Sequence, residues 1–205
     1  MDGAVKAIPI LAFALAMSAP PIAAKNGDAE KTPWKSVATA KDIERLTNWR
    51  SAFEQARKEA IAAGFNVDIE AGGDLFKTDV AKPGPNLPVG YYNCSVTKLG
   101  GDFVQYVQYP VFRCHVTFEG GRRQFVKLSG SQRPVGYIYK KDGKQSVFLG
   151  TIVLGDEAKL VTYGQEEDRN EAGLVERIGA KRWRIIFPFP HYESTMDVID
   201  LTLGK

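Results

Sequence analysis

A series of short apolar runs, separated by turn residues, begins at Val89 and constrains the fold more than any other feature. Runs of this length, with no long helical pattern between them, predict β-strands that pair with their neighbours in antiparallel fashion. The predicted strands cover residues 89–98, 104–109, 111–118, 122–129, 135–140, 145–154, 158–163, 172–178, 181–188 and 195–203. Gly120-Gly121 and Asp142-Gly143 supply hairpin turns, because these residues tolerate positive φ. We expect a mainly β (α+β) fold of about ten strands, closed into an antiparallel barrel or folded over as a sandwich.

An amphipathic helix is predicted before the strands, over residues 39–64. Thr39 is the expected N-cap, and Asp42 three positions later completes a capping-box pattern. Gly64 is the expected stop. Apolar side chains recur between them at spacings of three and four, which is typical of one buried helical face; they are Ile43, Leu46, Trp49, Phe53, Ala56 and Ala60. We expect this face to pack on the β domain rather than to bind a partner.

Residues 1–24 have the layout of a secretory signal peptide, with cleavage near Ala24. Lys6 precedes an apolar run that is short for a bilayer span, and small residues and prolines follow it. A membrane anchor is the alternative. With cleavage, the mature chain has no transmembrane span, and the protein is predicted to be periplasmic, in a Gram-negative cell, or secreted.

The rest of the 205-residue chain is predicted to form one globular domain over residues 34–205. Residues 25–38 form a polar, flexible leader, residues 65–88 are a connector, and residues 89–205 are the antiparallel β domain. The formal net charge is only +3, and the basic residues are spread singly or in pairs. A nucleic-acid partner is therefore not expected.

The chain contains two cysteines, Cys94 and Cys114. Their separation lacks the C-x-x-C spacing of redox and zinc motifs, and two histidines leave few soft ligands for a metal. Strand alternation puts Cys94 on a face with Tyr92, and Cys114 on a face with Val116, so the two apolar faces can meet. An exported protein enters a compartment that permits disulfides. We favour a structural disulfide over two buried free thiols.

The segment LSGSQRP, residues 128–134, is the first candidate site. Arg133 can hold a carboxylate or phosphate through two parallel hydrogen bonds, with Gln132 and Ser131 as further binding residues. Ser129 and Ser131 are candidate nucleophiles. A strand-ending turn whose serines hydrogen-bond their own backbone explains the same residues without a site.

The segment FPFPHYESTMDVID, residues 187–200, contains the candidate general base His191, with Glu193 or Asp197 to orient it. A proline-stiffened loop is the simpler interpretation. The segment GDE at 155–157 and the acidic run at 166–168 match no calcium-binding loop and are expected to be solvated. Since no nucleophile elbow, phosphate loop or dinucleotide motif occurs, neither a cofactor nor a metal is predicted.

Eight short strings along the chain carry a family resemblance. They are WKSVAT at 34–39, LPVGYYNC at 87–94, TKL at 97–99, YPVFRC at 109–114, KLSGSQRPVG at 127–136, FLGT at 148–151, VERIG at 175–179 and ESTMDVIDL at 193–201. In their order and spacing they resemble a family of exported bacterial proteins known as domain of unknown function 4893. The resemblance implies a Gram-negative envelope protein with an N-terminal signal, and it transfers no catalytic residue.

Together these features favour a non-enzymatic, exported β module that binds a small apolar or amphipathic ligand or an envelope protein. The second hypothesis is an envelope hydrolase that uses His191 with Ser129 or Ser131 and an acidic partner. A structural assembly factor without a pocket is the third.

Overall fold

The computed structural model of the protein describes Met1 and residues 33–157 and 160–204. The predicted signal peptide, apart from Met1, and residues 25–32 of the predicted leader lie outside the described residues. The described helices are α1 (Ala40–Thr47), α2 (Trp49–Ala62) and α3 (Asn66–Ala71). Short 3-10 helices cover Trp34–Ser36, Gly73–Phe76 and Glu167–Arg169.

Antiparallel strands build one sheet that closes on itself. The strands are β1 (Gly90–Leu99), β2 (Tyr106–Gln108), β3 (Phe112–Glu119), β4 (Arg122–Lys127), β5 (Gln132–Lys140), β6 (Gln145–Leu154), β7 (Asn170–Arg177), β8 (Arg182–Pro188) and β9 (Met196–Leu203). From β3 onward each strand pairs with the next, while β1 pairs with β3 on one side and with β9 on the other. Eight strands thus form a closed barrel, and β2 is an extra strand beside the second half of β1. The predicted antiparallel barrel is confirmed.

Alternate residues of each strand fill the barrel interior. This interior cluster consists of Leu87, Tyr92, Cys94, Cys114, Val116, Phe125, Ile138, Phe148, Val175, Trp183, Ile185, Phe187, Ile199 and Leu201. The ring of Phe148 meets those of Phe125 and Phe187 edge-on, at centroid distances of 5.8 and 5.6 Å. Gly136 and Gly150 face each other across β5 and β6, and a Cβ atom on Gly136 would lie 2.4 Å from the Cα of Gly150. Glycine at this pair lets the two strands approach beside the ring of Phe148.

A second cluster joins the helices to the outer face of the barrel. From the helices it contains Leu46, Trp49, Phe53, Ala56 and Ala60. From the strands it contains Leu99, Tyr139, Val147, Leu149, Ala172, Leu174, Ile186, Met196 and Val198. Strands β6 to β9 therefore bury both faces, which explains why the run VFLGTIVL at 147–154 is apolar throughout.

The ends of the helical segment follow the sequence signals. The hydroxyl of Thr39 accepts a hydrogen bond from the backbone N–H of Asp42, and Gly64 adopts a positive φ after α2, so both predicted boundaries are confirmed. Between them, Asn48 leaves helical geometry at ψ 14° and divides the predicted helix into α1 and α2. Asparagine has a lower helix propensity than most residues, which is consistent with a break at this position.

The predicted strand over 158–163 is wrong for its described part, residues 160–163, which belong to the loop between β6 and β7. The hydroxyl of Tyr163 donates a hydrogen bond to Asp42 and accepts one from the backbone N–H of Thr39 at 3.1 Å. The carbonyl of Val161 accepts a hydrogen bond from Thr151 at 2.9 Å. Because these partners lie on the helix and on β6, the apolar pattern reflects packing of a loop over the barrel.

The connector between α3 and β1 covers one end of the barrel, namely the end at which β4 begins. Leu87 is fully buried in the interior cluster, and its carbonyl accepts a hydrogen bond from Arg123 at 3.0 Å. The hydroxyl of Tyr92 donates to the carbonyl of Pro88 at 2.6 Å.

Among the described residues, no helix has both the length and the apolar character to cross a bilayer.

A buried ion pair links the outer barrel face to the segment after α3. Arg184 is fully buried and lies 2.6 Å from a carboxylate oxygen of Glu176 on the neighbouring strand. Its guanidinium also donates to the carbonyls of Asp74 and Leu75 at 2.9 and 2.8 Å. Its charge is thus compensated, and each of its three nitrogens donates at least one hydrogen bond, as a buried cation requires.

The first prediction concerns this pair. Because removal of Arg184 leaves Glu176 buried without its cation, Arg184→Met should lower the free energy of unfolding by about 3–5 kcal/mol. Arg182→Met, on the same strand, breaks a more exposed pair with Asp200 and should cost less than about 1 kcal/mol. Chemical denaturation of both variants measures the difference. Equal losses would show that the Arg184 pair does not hold the segment.

Cys94 and Cys114 form the predicted disulfide, which joins β1 to β3 with Cα atoms 6.0 Å apart. The bond closes a loop across residues 95–113 and restricts the unfolded chain. Reduction should therefore lower the free energy of unfolding by about 3 kcal/mol. The measurement is urea denaturation with and without reductant. A Cys94→Ala/Cys114→Ala variant serves as the control and should not respond to reductant; an equal response in both proteins would contradict the assignment.

Candidate functional site

A cavity of about 120 Å³ opens inside the barrel at the end where β4 leads into β5. The loops 128–131 and 189–195 edge its mouth. Its apolar walls come from Val96, Phe112, Pro134, Ile152, Phe187 and Ile199. Charged side chains line the rest, so the cavity combines apolar walls with ionisable groups. Ligand sites in proteins commonly have this combination.

Lys98 and Asp197 face each other at the seam where β1 meets β9, and their charged atoms lie 2.8 Å apart. Glu193 lies 3.4 Å from the same Lys98 amino group. Burial alone would lower the pKa of Lys98, but the charges of Asp197 and Glu193 raise it above its ordinary value. Lys98 is thus held as a cation. Burial raises the pKa of Asp197, and Lys98 and Ser194 partly offset that effect.

Glu171, the second residue of β7, points into the cavity with 5% of its surface exposed. It makes no hydrogen bond or ion pair within residues 33–157 and 160–204. Burial raises the pKa of Glu171 to about 8, and the nearby charge of Asp197 adds to the rise, with a smaller contribution from Asp42. Arg45 and Lys98 oppose it. At neutral pH this carboxyl therefore keeps its proton and presents an O–H donor to the cavity.

Lys127 ends β4 and lies on another wall of the cavity. Its amino group donates to the carbonyls of Ser129 and Gln132 at 2.7 and 2.9 Å and lies 3.7 Å from the ring centroid of Phe112. None of these partners carries a negative charge. Burial lowers the pKa of Lys127 to about 8, and the positive charge of Arg133 contributes. At neutral pH Lys127 is therefore still a cation, but burial and the charge of Arg133 destabilise that charged form.

The predicted binding residues divide between two faces of β5 and its preceding turn. Ser131 and Gln132 line the cavity. Arg133 points the other way and donates to the backbone carbonyls of Gly130 and Gly155. Ser129 contributes its carbonyl to Lys127, and its side chain does not line the cavity.

The predicted catalytic residues are not assembled into a triad. Glu193 lines the cavity, whereas His191 is exposed on the same loop. Partial desolvation of the imidazole and the nearby cation Arg45 lower the pKa of His191. In the described part of the chain, His191 makes no hydrogen bond to a serine. The arrangement therefore lacks the base-to-nucleophile contact that hydroxyl activation requires.

Glu193 occupies an unusual backbone conformation at the mouth. Its φ is 69°, and the N–H of Ser194 donates to the carbonyl of Tyr192 at 2.8 Å across it. Such a turn is rare for a residue with a side chain, and strained residues often accompany functional sites. The segment GDE at 155–157 and the acidic run at 166–168 do not line the cavity, and Glu157 pairs with Arg169.

Sequence reasoning missed Lys98, Lys127 and Glu171, which contribute most to the cavity chemistry. Strand alternation contained a usable signal for two of them. Lys98 is in phase with the inward residues of β1, and Lys127 is in phase with Phe125. Glu171 gave no signal because the predicted strand began one residue later.

A sequence profile described as "Domain of unknown function (DUF4893)" matches residues 34–201. The chain belongs to the DUF4893 family. The match covers the helices and strands β1 to β8 and most of β9, and so includes every residue of the DUF4893 cavity discussed above. Comparison with curated proteins gives no match, and comparison with solved structures gives none either.

The raised pKa of Glu171 gives a stability prediction. A carboxyl that binds its proton more tightly in the folded state stabilises the fold at low pH and loses that contribution as pH rises toward about 8. Glu171→Gln has no carboxyl to ionise, so its free energy of unfolding does not fall in this way as pH rises. At pH 7.5 the variant should be more stable than the wild type by on the order of 3 kcal/mol, and at pH 4.5 the two proteins should have nearly the same stability.

Urea denaturation at the two pH values measures this effect. Glu44→Gln is the matched control, since it makes the same chemical change at an exposed position of α1 and should give no pH-dependent gain. If Glu171→Gln is as pH-dependent as the wild type, Glu171 is ionised in the folded protein.

Proposed function

We propose that the protein acts outside the cytosol and binds a small ligand in the barrel cavity without converting it. The carboxyl of Glu171, which faces the cavity and has no hydrogen-bond partner among the described residues, is the observation that carries this proposal. A buried polar group without a partner is costly, and native structures retain few of them. A bound molecule that pairs with Glu171 removes that cost.

The shape of the site supports the same function. Closed barrels of eight strands can hold one small ligand at their mouth. Apolar walls provide favourable burial, and a few fixed polar groups orient the bound molecule. Ser131, Gln132 and Glu193 add polar atoms near the entrance.

Action outside the cytosol is supported by two independent features. The first 24 residues have the composition of a signal peptide. The Cys94–Cys114 disulfide suits an oxidising compartment such as the periplasm or the extracellular space. Neither feature depends on the cavity.

A hydrolase has less support. His191 is exposed, and among the described residues it makes no contact with Ser129 or Ser131 that would activate a nucleophile. The lysine and carboxyl groups of the cavity are well placed to bind and orient a molecule.

The test fills the cavity. Val96 lines it, so Val96→Phe should occupy part of its volume and displace the ligand. Val107→Phe makes the same change at an exposed position of β2 and should have no effect. Native mass spectrometry of protein purified from its own host should detect a small organic adduct on the wild type and on Val107→Phe. The adduct should be absent from Val96→Phe.

An equal adduct on all three proteins would place the ligand outside the cavity. The absence of any adduct from the wild type would contradict the proposed function. A circular dichroism melt of each variant confirms that it is folded.

A further inference from the structure

We propose that the cavity ligand is a small organic carboxylate, held by a hydrogen bond from Glu171 and by the positive charge of Lys127. This inference rests on the proposed function and adds the chemical class of the ligand. It follows from the charges already present, the groups that they leave unpaired and the size of the cavity.

The two lysines of the cavity differ in how their charges are paired. Both carboxylates near the seam, Asp197 and Glu193, already lie within ion-pair distance of Lys98, at 2.8 and 3.4 Å. Lys127 makes no ion pair with an acidic residue in the described ranges; its amino group contacts two carbonyls and the ring of Phe112. Neutral oxygens solvate a cation but leave its charge uncompensated. The cavity therefore favours a negatively charged ligand group over a positive one in the part next to Lys127.

The hydrogen bond available from Glu171 also distinguishes between classes of ligand. A protonated Glu171 donates one hydrogen bond, and the oxygen of a carboxylate is a strong acceptor for it. An ammonium ligand cannot accept that bond, and it would lie near the positive charge of Lys127. An uncharged amide can accept it but gains no charge pairing with Lys127. Of the three classes, a carboxylate uses both groups.

The volume of the cavity limits the size of the ligand. A cavity of about 120 Å³ is close to an engineered apolar cavity of about 150 Å³ that holds benzene. Phe112, Phe187 and Ile152 supply walls that suit a ring or a short branched chain. The ligand body should thus contain about six carbon atoms, with its carboxylate directed at the charged groups.

The pH dependence of binding follows from the groups that face the site. Asp197, Asp42, Arg45 and Lys98 act on Glu171, and Arg133 acts on Lys127. Above a pH of about 8, Glu171 gains a negative charge and Lys127 loses its positive one. Both changes weaken the binding of an anion, so affinity should fall as pH rises through this value.

The experiment uses one ring with three different charges. Benzoate, benzamide and benzylammonium are titrated into the mature chain at pH 6.5 by calorimetry, and benzoate is titrated again at pH 9.5. Benzoate should bind most tightly, and its affinity should fall by at least about tenfold at the higher pH, as expected for the loss of a charge-assisted bond. Val96→Phe should abolish the binding.

Three variants test the assigned groups. Glu171→Gln keeps a donor without a titrating carboxyl, so it should bind benzoate at pH 6.5 and show a smaller loss at pH 9.5. Lys127→Gln should bind benzoate at least about tenfold more weakly at pH 6.5. Arg133→Gln removes a neighbouring cation that points away from the cavity and should bind normally. If Lys127→Gln does not fold, the pH profile of Glu171→Gln decides the question.

The outcomes separate the two proposals. If benzamide or benzylammonium binds better than benzoate, and Val96→Phe abolishes that binding, the carboxylate assignment is wrong and the proposed function stands. A pH profile for Glu171→Gln as steep as that of the wild type would remove Glu171 from the site. If none of the three compounds binds and the native protein carries no adduct, both proposals fail.

Discussion

The pairing of β1 with β9 is the interaction on which the rest of the structure depends. It runs from Tyr92 opposite Leu203 to Leu99 opposite Met196, and it turns an open sheet into a closed barrel. Closure gives every inward side chain a shared interior, and it removes the unpaired strand edges that an open sheet would expose. The same pairing sets Lys98 against Asp197, so the seam of the barrel is also one wall of the cavity.

The interior is not uniform along the barrel axis. Aromatic side chains and Leu87 fill one end, whereas the other end contains buried lysine and carboxyl groups around an open volume. Buried charge is weak evidence for stability, because apolar side chains of similar volume usually serve a fold at least as well. Groups with displaced pKa values inside a cleft are instead typical of functional sites. The two ends thus differ in composition, since one is packed with apolar side chains and the other contains the ionisable groups on which the proposed binding rests.

Local patterns predicted most of the fold. Apolar runs and turn residues predicted the bounds of eight of the nine described strands to within a few residues. The ninth, the short β2, lies inside a longer predicted strand. Thr39 and Gly64 marked the helix boundaries because capping depends on immediate neighbours. The same reasoning was wrong at residues 160–163, where a long-range bond from Tyr163 to Asp42 holds an apolar segment as a loop. It also missed the break at Asn48.

The sequence by itself determined the strand alternation, the two cysteines on faces that can meet, and the positions of Ser131, Gln132 and Glu193 as polar residues near strand ends. Only the tertiary structure decided that Lys98, Lys127 and Glu171 share one cavity. These residues lie on β1, β4 and β7, far apart in the chain, and strand order and register bring them together. Alternation fixes which face a side chain occupies, but closure of the barrel fixes which side chains it meets.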